Sequence, residues 1–267
     1  MKTNTVKYPY YWLALTMCIG ATANAQKLPN VQPTGVYAPA NVKVDGKATE
    51  WNNQLQAYNK STAVFYTMAN NNDNLYLAVQ ATDKTIIDKI LGGGITLTIS
   101  SNDKKSIPVS ISTPLLPATN KATVTKKTNS KEPLVETDLP EINKAISGGL
   151  KEMAVKGITA IPDSAISIYN EYGIKVAGQV DINKAYTCEL AIPLKYINQL
   201  AGTTGTFNYK VMLNGSKSSM ADLIAQIPAS SIQTISVSLN GVLVNGSSMN
   251  EIASPTDFSA TYTLVKK

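Results

Sequence analysis

Residues 42–100 carry three short apolar runs separated by turn residues, and that punctuation narrows what the chain can fold into. The first run covers residues 62–68. The second, Leu75-Tyr76-Leu77-Ala78-Val79, follows the cluster Asn70-Asn71-Asn72-Asp73-Asn74. The third, Ile95-Thr96-Leu97-Thr98-Ile99, follows Gly92-Gly93-Gly94. The runs alternate to differing degrees, the third most cleanly, and a period of two puts successive side chains on opposite faces of a strand. Asn and Asp tolerate positive φ, so the Asn/Asp cluster suits a tight connection between strands. The stretch predicts the front sheet of an antiparallel β protein.

Residues 36–44 predict a first strand, placed at a sheet edge by Pro39, which cannot donate to a ladder. Asp45-Gly46 then makes a turn, and Trp51 tucks its indole under the sheet edge. Ile107, Val109 and Ile111 alternate as another strand, with Pro108 again indicating an edge. Residues 113–138 are rich in Lys, Thr, Asn and Pro and read as a long exposed excursion. In residues 139–153, Ile142, Ala145, Ile146, Leu150 and Met153 lie near helical spacing, and Gly148-Gly149 limits the helix to about two turns.

A second β-rich half follows, with runs at 155–161, 165–169, 174–180, 186–192 and 207–213. In the fourth, Tyr186, Cys188, Leu190 and Ile192 share one face and Thr187, Glu189 and Ala191 the other. Pro193 ends that strand, and Leu194-Lys195-Tyr196-Ile197 forms one helical turn. A short helix within 219–229, paired strands within 232–244 around Asn240-Gly241, and a last strand at 258–265 complete the reading. The expectation is an all-β, antiparallel β-sandwich with one or two short helices in an insertion. The organisation read from the chain is a signal peptide at 1–25, an extended leader at 26–35, and a single β-sandwich domain at 36–267 with an inserted excursion at 113–153.

Length and composition bound the chemistry. With 267 residues, 43% of them apolar, the chain can bury a full core. It has no His, and all 24 of its basic residues are Lys. That removes His-based zinc sites, imidazole bases and guanidinium clamps, leaving Asp/Glu pairs, Tyr or a perturbed Lys for any catalysis. The N-terminus has the order of a secretory signal: Lys2 and Lys7, a short apolar core, then Ala23-Asn24-Ala25 as a cleavage site before Gln26. A competing reading takes Leu15-Thr16-Met17-Cys18 as a lipoprotein box, against which stands the bulk of Met17. Cleavage at Ala25 removes two Lys and no acid, so the net charge falls from +6 to +4. It also leaves Cys188 without an internal partner, as a small core hydrophobe in a secreted or periplasmic protein. No basic run alternates with aromatics as a nucleic-acid groove would, and no later stretch is long enough to span a membrane.

The order Val44-Asp45-Gly46, Glu50-Trp51, then Asp73-Asn74-Leu75-Tyr76-Leu77-Ala78 with Asp83, then Tyr186-Thr187-Cys188-Glu189-Leu190-Ala191-Ile192-Pro193 resembles a known family. It is similar to family 9 carbohydrate-binding modules and the wider DOMON-like sandwich group over most of residues 36–267. The resemblance implies a β-sandwich that binds glycan without catalysing a reaction. Family members hold the sugar ring between two Trp side chains. Here the mature chain has Trp51 alone, and Phe258 is followed by Ser259 where relatives often show an aromatic, so Tyr would have to supply the stacking surface.

Each candidate residue has a plain reading beside the functional one. Asp45, Gly46, Glu50 and Trp51 are accounted for as turn, cap and core anchor. Asn72 and Asp73, with Asn71 and Asn74, offer oxygens to calcium, which the resemblance also implies, although Asn-rich tips form without metal. Tyr169, Asn170, Glu171 and Tyr172 place two rings beside an amide and an acid, the pattern that stacks on sugar C–H faces and reads hydroxyls. The plain alternative is a Tyr-rich turn covering the end of the sandwich. Glu171 and Glu189 are the acids a glycosidase would use, and they would need to share a cleft. Three functions stay open: a non-enzymatic carbohydrate-binding module, a structural or protein-interaction sandwich, and a carboxylate-dependent glycosidase.

Overall fold

The computed structural model describes residues 27–102, 106–216, 237–239, 242–244 and 246–267. The N-terminal signal and Gln26, the turn residues Asp103, Lys104 and Lys105, the helix expected within 219–229 and the Asn240-Gly241 hairpin lie outside the described residues. In chain order the strands are β1 (Ala57–Asn59), β2 (Val64–Asn70), β3 (Asn74–Ala81), β4 (Ile95–Ser100), β5 (Val109–Ser112), β6 (Glu152–Lys156) and β7 (Ala165–Ser167). They continue with β8 (Lys175–Val180), β9 (Tyr186–Pro193), β10 (Thr206–Leu213), β11 (Val237–Leu239), β12 (Val242–Val244) and β13 (Thr256–Thr263). The helices are α1 (Lys84–Gly93), α2 (Ala118–Thr128), α3 (Leu139–Gly149), α4 (Asn198–Ala201) and α5 (Gly246–Ala253).

The strands form an antiparallel β-sandwich. One sheet has five strands in the order β1-β2-β3-β9-β8, and the other has six in the order β13-β10-β4-β5-β6-β7. β11 and β12 pair antiparallel with each other. Alternation sorts the side chains: Met68, Leu77, Cys188 and Leu190 from the first sheet meet Leu97, Ile111, Phe207 and Val211 from the second in one core. Each such side chain, fully buried, contributes about 1.5–3 kcal/mol. The Tyr66 and Tyr209 hydroxyls, 3.1 Å apart, join the sheets through the middle of that core.

The five-stranded sheet is buried on its other face as well. Ala38, Ala48, Trp51 and Leu55 of the N-terminal segment pack against Ala69, Tyr76, Ala78 and Ala191, the outward residues of β2, β3 and β9. Trp51 therefore lies over the face of the sheet, not under its edge. Residues 36–44 form no strand: Tyr37 makes a single parallel bridge to Asn70 and the chain then crosses the sheet.

Several other expectations change for local reasons. The first two runs do share a sheet, but the third, β4, belongs to the six-stranded one. Between them lies α1, where Gly92-Gly93 had suggested only a turn. The Asp83 carboxylate caps it by accepting from the Thr85 and Ile86 amides at 2.8 and 3.1 Å, and Ile86, Ile87, Ile90 and Leu91 enter the core. β5 is an interior strand between β4 and β6. Pro108 precedes its first residue, so the missing N–H falls outside the ladder, and Ile107, 76% exposed, stays outside the core. The 113–138 excursion contains the three-turn α2, anchored by buried Val124. α3 runs eleven residues to Gly149, and Met153 belongs to β6 rather than to the helix. Among the described residues no helix is long and apolar enough to cross a membrane.

Candidate functional site

Two sets of residues singled out by the sequence lie in different parts of the fold. The first is centred on Glu189, which points out of β9 on the face covered by the N-terminal segment and is 2% exposed. One carboxylate oxygen accepts the Asp45 and Gly46 amides at 3.0 and 2.9 Å, and the other accepts the Trp51 indole N–H at 2.9 Å. Gly46 makes this approach with φ +84°, and a Cβ there would lie 2.6 Å from the Gly178 carbonyl carbon on β8. Burial pushes the Glu189 carboxyl above the usual carboxylate range, while the Trp51 indole and the two amides pull it back. The Glu50 carboxylate accepts the hydroxyl of its neighbour Thr49 at 2.7 Å. Asp45, Gly46 and Trp51 thus form, with Glu189, a clamp that fixes the N-terminal segment to the sheet. Enclosed by three donors, Glu189 is closed off from solvent, whereas Glu171 is exposed on a turn.

The second set lies at one end of the five-stranded sheet. Tyr169, Asn170, Glu171 and Tyr172 occupy the connection into β8. The Asn170 amide nitrogen donates to the Ser167 and Ile174 carbonyls at 2.9 and 2.8 Å, tying both sides of the turn together. The Tyr169 N–H donates to the Ser167 hydroxyl at 3.1 Å. The turn is held from within, and it projects the Tyr169 ring, 85% exposed, into solvent. Tyr172 is half-buried against the core. The Asn170 side-chain oxygen is buried and has no hydrogen-bond partner among the described residues.

Sheet order brings further residues to this end. The end of β9 runs into the single helical turn Leu194–Tyr196, whose Tyr196 hydroxyl donates to the Tyr172 carbonyl at 3.2 Å. The exposed Lys195 carries its ammonium 4.9 Å from the centre of the Tyr196 ring. On the far side of β9, Asn74 of β3 pairs with Pro193, and the Leu194 N–H donates to the Asp73 carbonyl at 2.8 Å. The Asn71-Asn72-Asp73 tip is therefore a neighbour of the Tyr196 turn. That tip is closed by Asn71, whose side-chain oxygen accepts the Asp73 and Asn74 amides at 2.9 and 2.7 Å. Asn72 and Asp73 are exposed there, and among the described residues no three Cys, Asp or Glu side chains are grouped to hold a metal ion. Sequence reasoning had missed Lys195 and Tyr196 as members of this end. Their signal was Pro193, which ends β9 and forces the next residues onto the rim.

A cleft of about 200 Å³ lies elsewhere, between the Gly46 turn, the start of α3 and the end of β8. Its amides are already engaged. Asn143 exchanges hydrogen bonds with the Val180 backbone at 3.0 and 2.8 Å, and the Gln179 side chain donates to the Asp45 carbonyl at 2.8 Å. None of the tyrosines lines it. No protein-family model matches the sequence, and a search of curated proteins finds no match.

Proposed function

We propose that this chain is a secreted, non-catalytic β-sandwich module of the family 9 carbohydrate-binding type that holds glycan on the turn containing Tyr169, Asn170, Glu171 and Tyr172. The observation that carries the reading is the Tyr169 ring, 85% exposed on a turn that Asn170 ties on both sides. A turn whose backbone is fixed before binding presents the ring to sugar C–H groups with less to order than a loose loop would have. The clamp around Glu189 supports the same reading from the other side, because it occupies Trp51 in packing and leaves stacking to tyrosine.

One open stack and a few solvent-competed hydrogen bonds leave a small surplus, so the dissociation constant is expected on the order of 0.1 to 1 mM, roughly 4 to 5.5 kcal/mol. The test is a glycan array followed by titration calorimetry on the wild type and Tyr169→Ala. Tyr169→Ala is expected to weaken binding at least about tenfold while leaving thermal unfolding unchanged, since its ring lies outside the core. No glycan held by the wild type, or equal binding by Tyr169→Ala, would refute the proposal. Export is tested separately: mass spectrometry of the exported protein should show a chain beginning at Gln26, and an acylated Cys18 would contradict it.

A further inference from the structure

We infer that the glycan taken by this surface is an internal stretch of a long chain lying across the rim of the sheet, and not a chain end enclosed in a pocket. The inference rests on the proposed glycan site and says which part of the polymer it takes.

Holding a chain end requires a concave site that buries most of the terminal ring, commonly between two walls. Tyr169 offers one wall. Its ring is 85% exposed, and no other aromatic side chain among the described residues is exposed. The two tyrosines grouped with it are occupied: Tyr172 packs on the core, and Tyr196 is tied to the Tyr172 carbonyl with the Lys195 ammonium over its ring. Neither is free to close over a sugar stacked on Tyr169.

An internal segment asks for contact points in a row, and this rim has them. The Tyr169 turn leads into β8, the Lys195–Tyr196 turn follows β9, and the Asn71-Asn72-Asp73 tip leads into β3. β3, β9 and β8 are consecutive in the sheet. Neighbouring strands lie about 4.8 Å apart, so the row extends roughly 10 Å, longer than a single pyranose ring. Exposed Glu171, Lys195 and Asp73 occur along it and offer both acceptors and donors to hydroxyls. A polymer laid along the row repeats the same weak contact in many registers, which raises the apparent affinity per chain without a deep pocket.

The experiment uses the intact exported protein. Calorimetry and affinity electrophoresis would compare glucose, xylose and mannose with cello-, xylo- and manno-oligosaccharides up to the hexamer and with the parent polysaccharides, the oligomers and polymers each before and after borohydride reduction of their reducing ends. The expected result is a hexamer bound about tenfold or more tightly than the monosaccharide, with reduction of the ends changing its binding less than about twofold. Lys195→Ala should weaken the hexamer severalfold and leave the monosaccharide unchanged, because a single ring reaches only the Tyr169 platform. Loss of binding on end reduction, or a monosaccharide bound as tightly as the hexamer, would overturn the internal-chain inference while leaving glycan binding intact. A wild type that binds nothing on the array would instead remove the glycan reading itself, and this inference with it.

Discussion

The clamp between Glu189 and the N-terminal segment makes a prediction whose size follows from its geometry. Three donors converge on one buried carboxylate: the Asp45 and Gly46 amides on one oxygen and the Trp51 indole on the other. Glu189→Gln keeps the shape but has one accepting oxygen and an NH2 that accepts nothing. Whichever way the amide turns, at least one buried donor faces another donor, which costs about 1–3 kcal/mol. Glu189→Ala leaves all three donors unpaired and should cost about 3–5 kcal/mol, the range for removing one partner of a buried charged contact. Trp51→Phe keeps most of the ring packing and removes one hydrogen bond to a charged acceptor, about 1.5–3 kcal/mol. The two changes should not add: the Gln NH2 opposes one donor when turned toward the indole and two when turned toward the amides, so in the Gln background the indole N–H is the one that loses its acceptor. Urea unfolding of wild type, both single variants and Trp51→Phe/Glu189→Gln would measure the coupling. It should be followed by far-UV circular dichroism, since Trp51→Phe removes the core fluorophore. A coupling of at least about 1 kcal/mol is expected, and additivity within about 0.5 kcal/mol would refute the clamp as an energetic link.

Four further outcomes follow from the same structure. Gly46→Ala should destabilise by about 2–4 kcal/mol in urea unfolding, because φ is +84° and a Cβ would meet the Gly178 backbone at 2.6 Å; a change under about 0.5 kcal/mol would contradict the close approach. Burial pushes the Cys188 thiol up to about 12, so at pH 8 iodoacetamide should leave Cys188 unmodified in the folded protein and alkylate it in urea, read by peptide mass spectrometry. Glu189 holds its proton to higher pH folded than unfolded. Its contribution to stability is therefore present below the ordinary Glu value and lost as pH rises through the raised one; urea titrations across that interval should show the fall in wild type and its absence in Glu189→Gln. Asn170→Ala removes both ties across the Tyr169 turn, and should cost about 1–2 kcal/mol together with most glycan affinity, read by unfolding and calorimetry on one sample.

Much of the fold was legible because it depends on local alternation. β9 reads directly from Tyr186, Cys188, Leu190 and Ile192 on one face and Glu189 and Ala191 on the other, with Pro193 as its stop. α1 was not read, although Asp83 and the spacing of Ile86, Ile87, Ile90 and Leu91 signal a capped helix. The adjacent glycines hid it. Each costs a helix about 1 kcal/mol, but Gly93 is pressed against Gly215, whose nitrogen would lie 2.8 Å from any Cβ there. That reason is tertiary and leaves no trace in the local pattern. The sheet that receives β4 is equally non-local, since α1 carries the chain from one sheet to the other. At the candidate site the residue types were visible, two tyrosines flanking an amide and an acid. Their neighbours Lys195, Tyr196 and the Asn71-Asn72-Asp73 tip follow from the order β3-β9-β8, which no single segment encodes.

Burial on both faces of the five-stranded sheet also explains where a ligand surface can lie. Its inner face is committed to the six-stranded sheet, and its outer face is covered at β2, β3 and β9 by the N-terminal segment with Trp51 at its centre. A flat sheet face lined with aromatics, one common way for a β-sandwich to meet an extended ligand, is therefore closed there. The rim at the β3, β9 and β8 ends lies outside both cores, and connections there can change without disturbing either. The Tyr169 turn has that freedom: its ring packs on nothing beneath it, yet Asn170 and Ser167 hold its backbone. Asp45, Gly46 and Trp51 have the opposite character, each held by Glu189. The residues most recognisable in the sequence are thus the ones that close the fold, and the Tyr169 turn is the place where chemistry can be exchanged at little cost to stability.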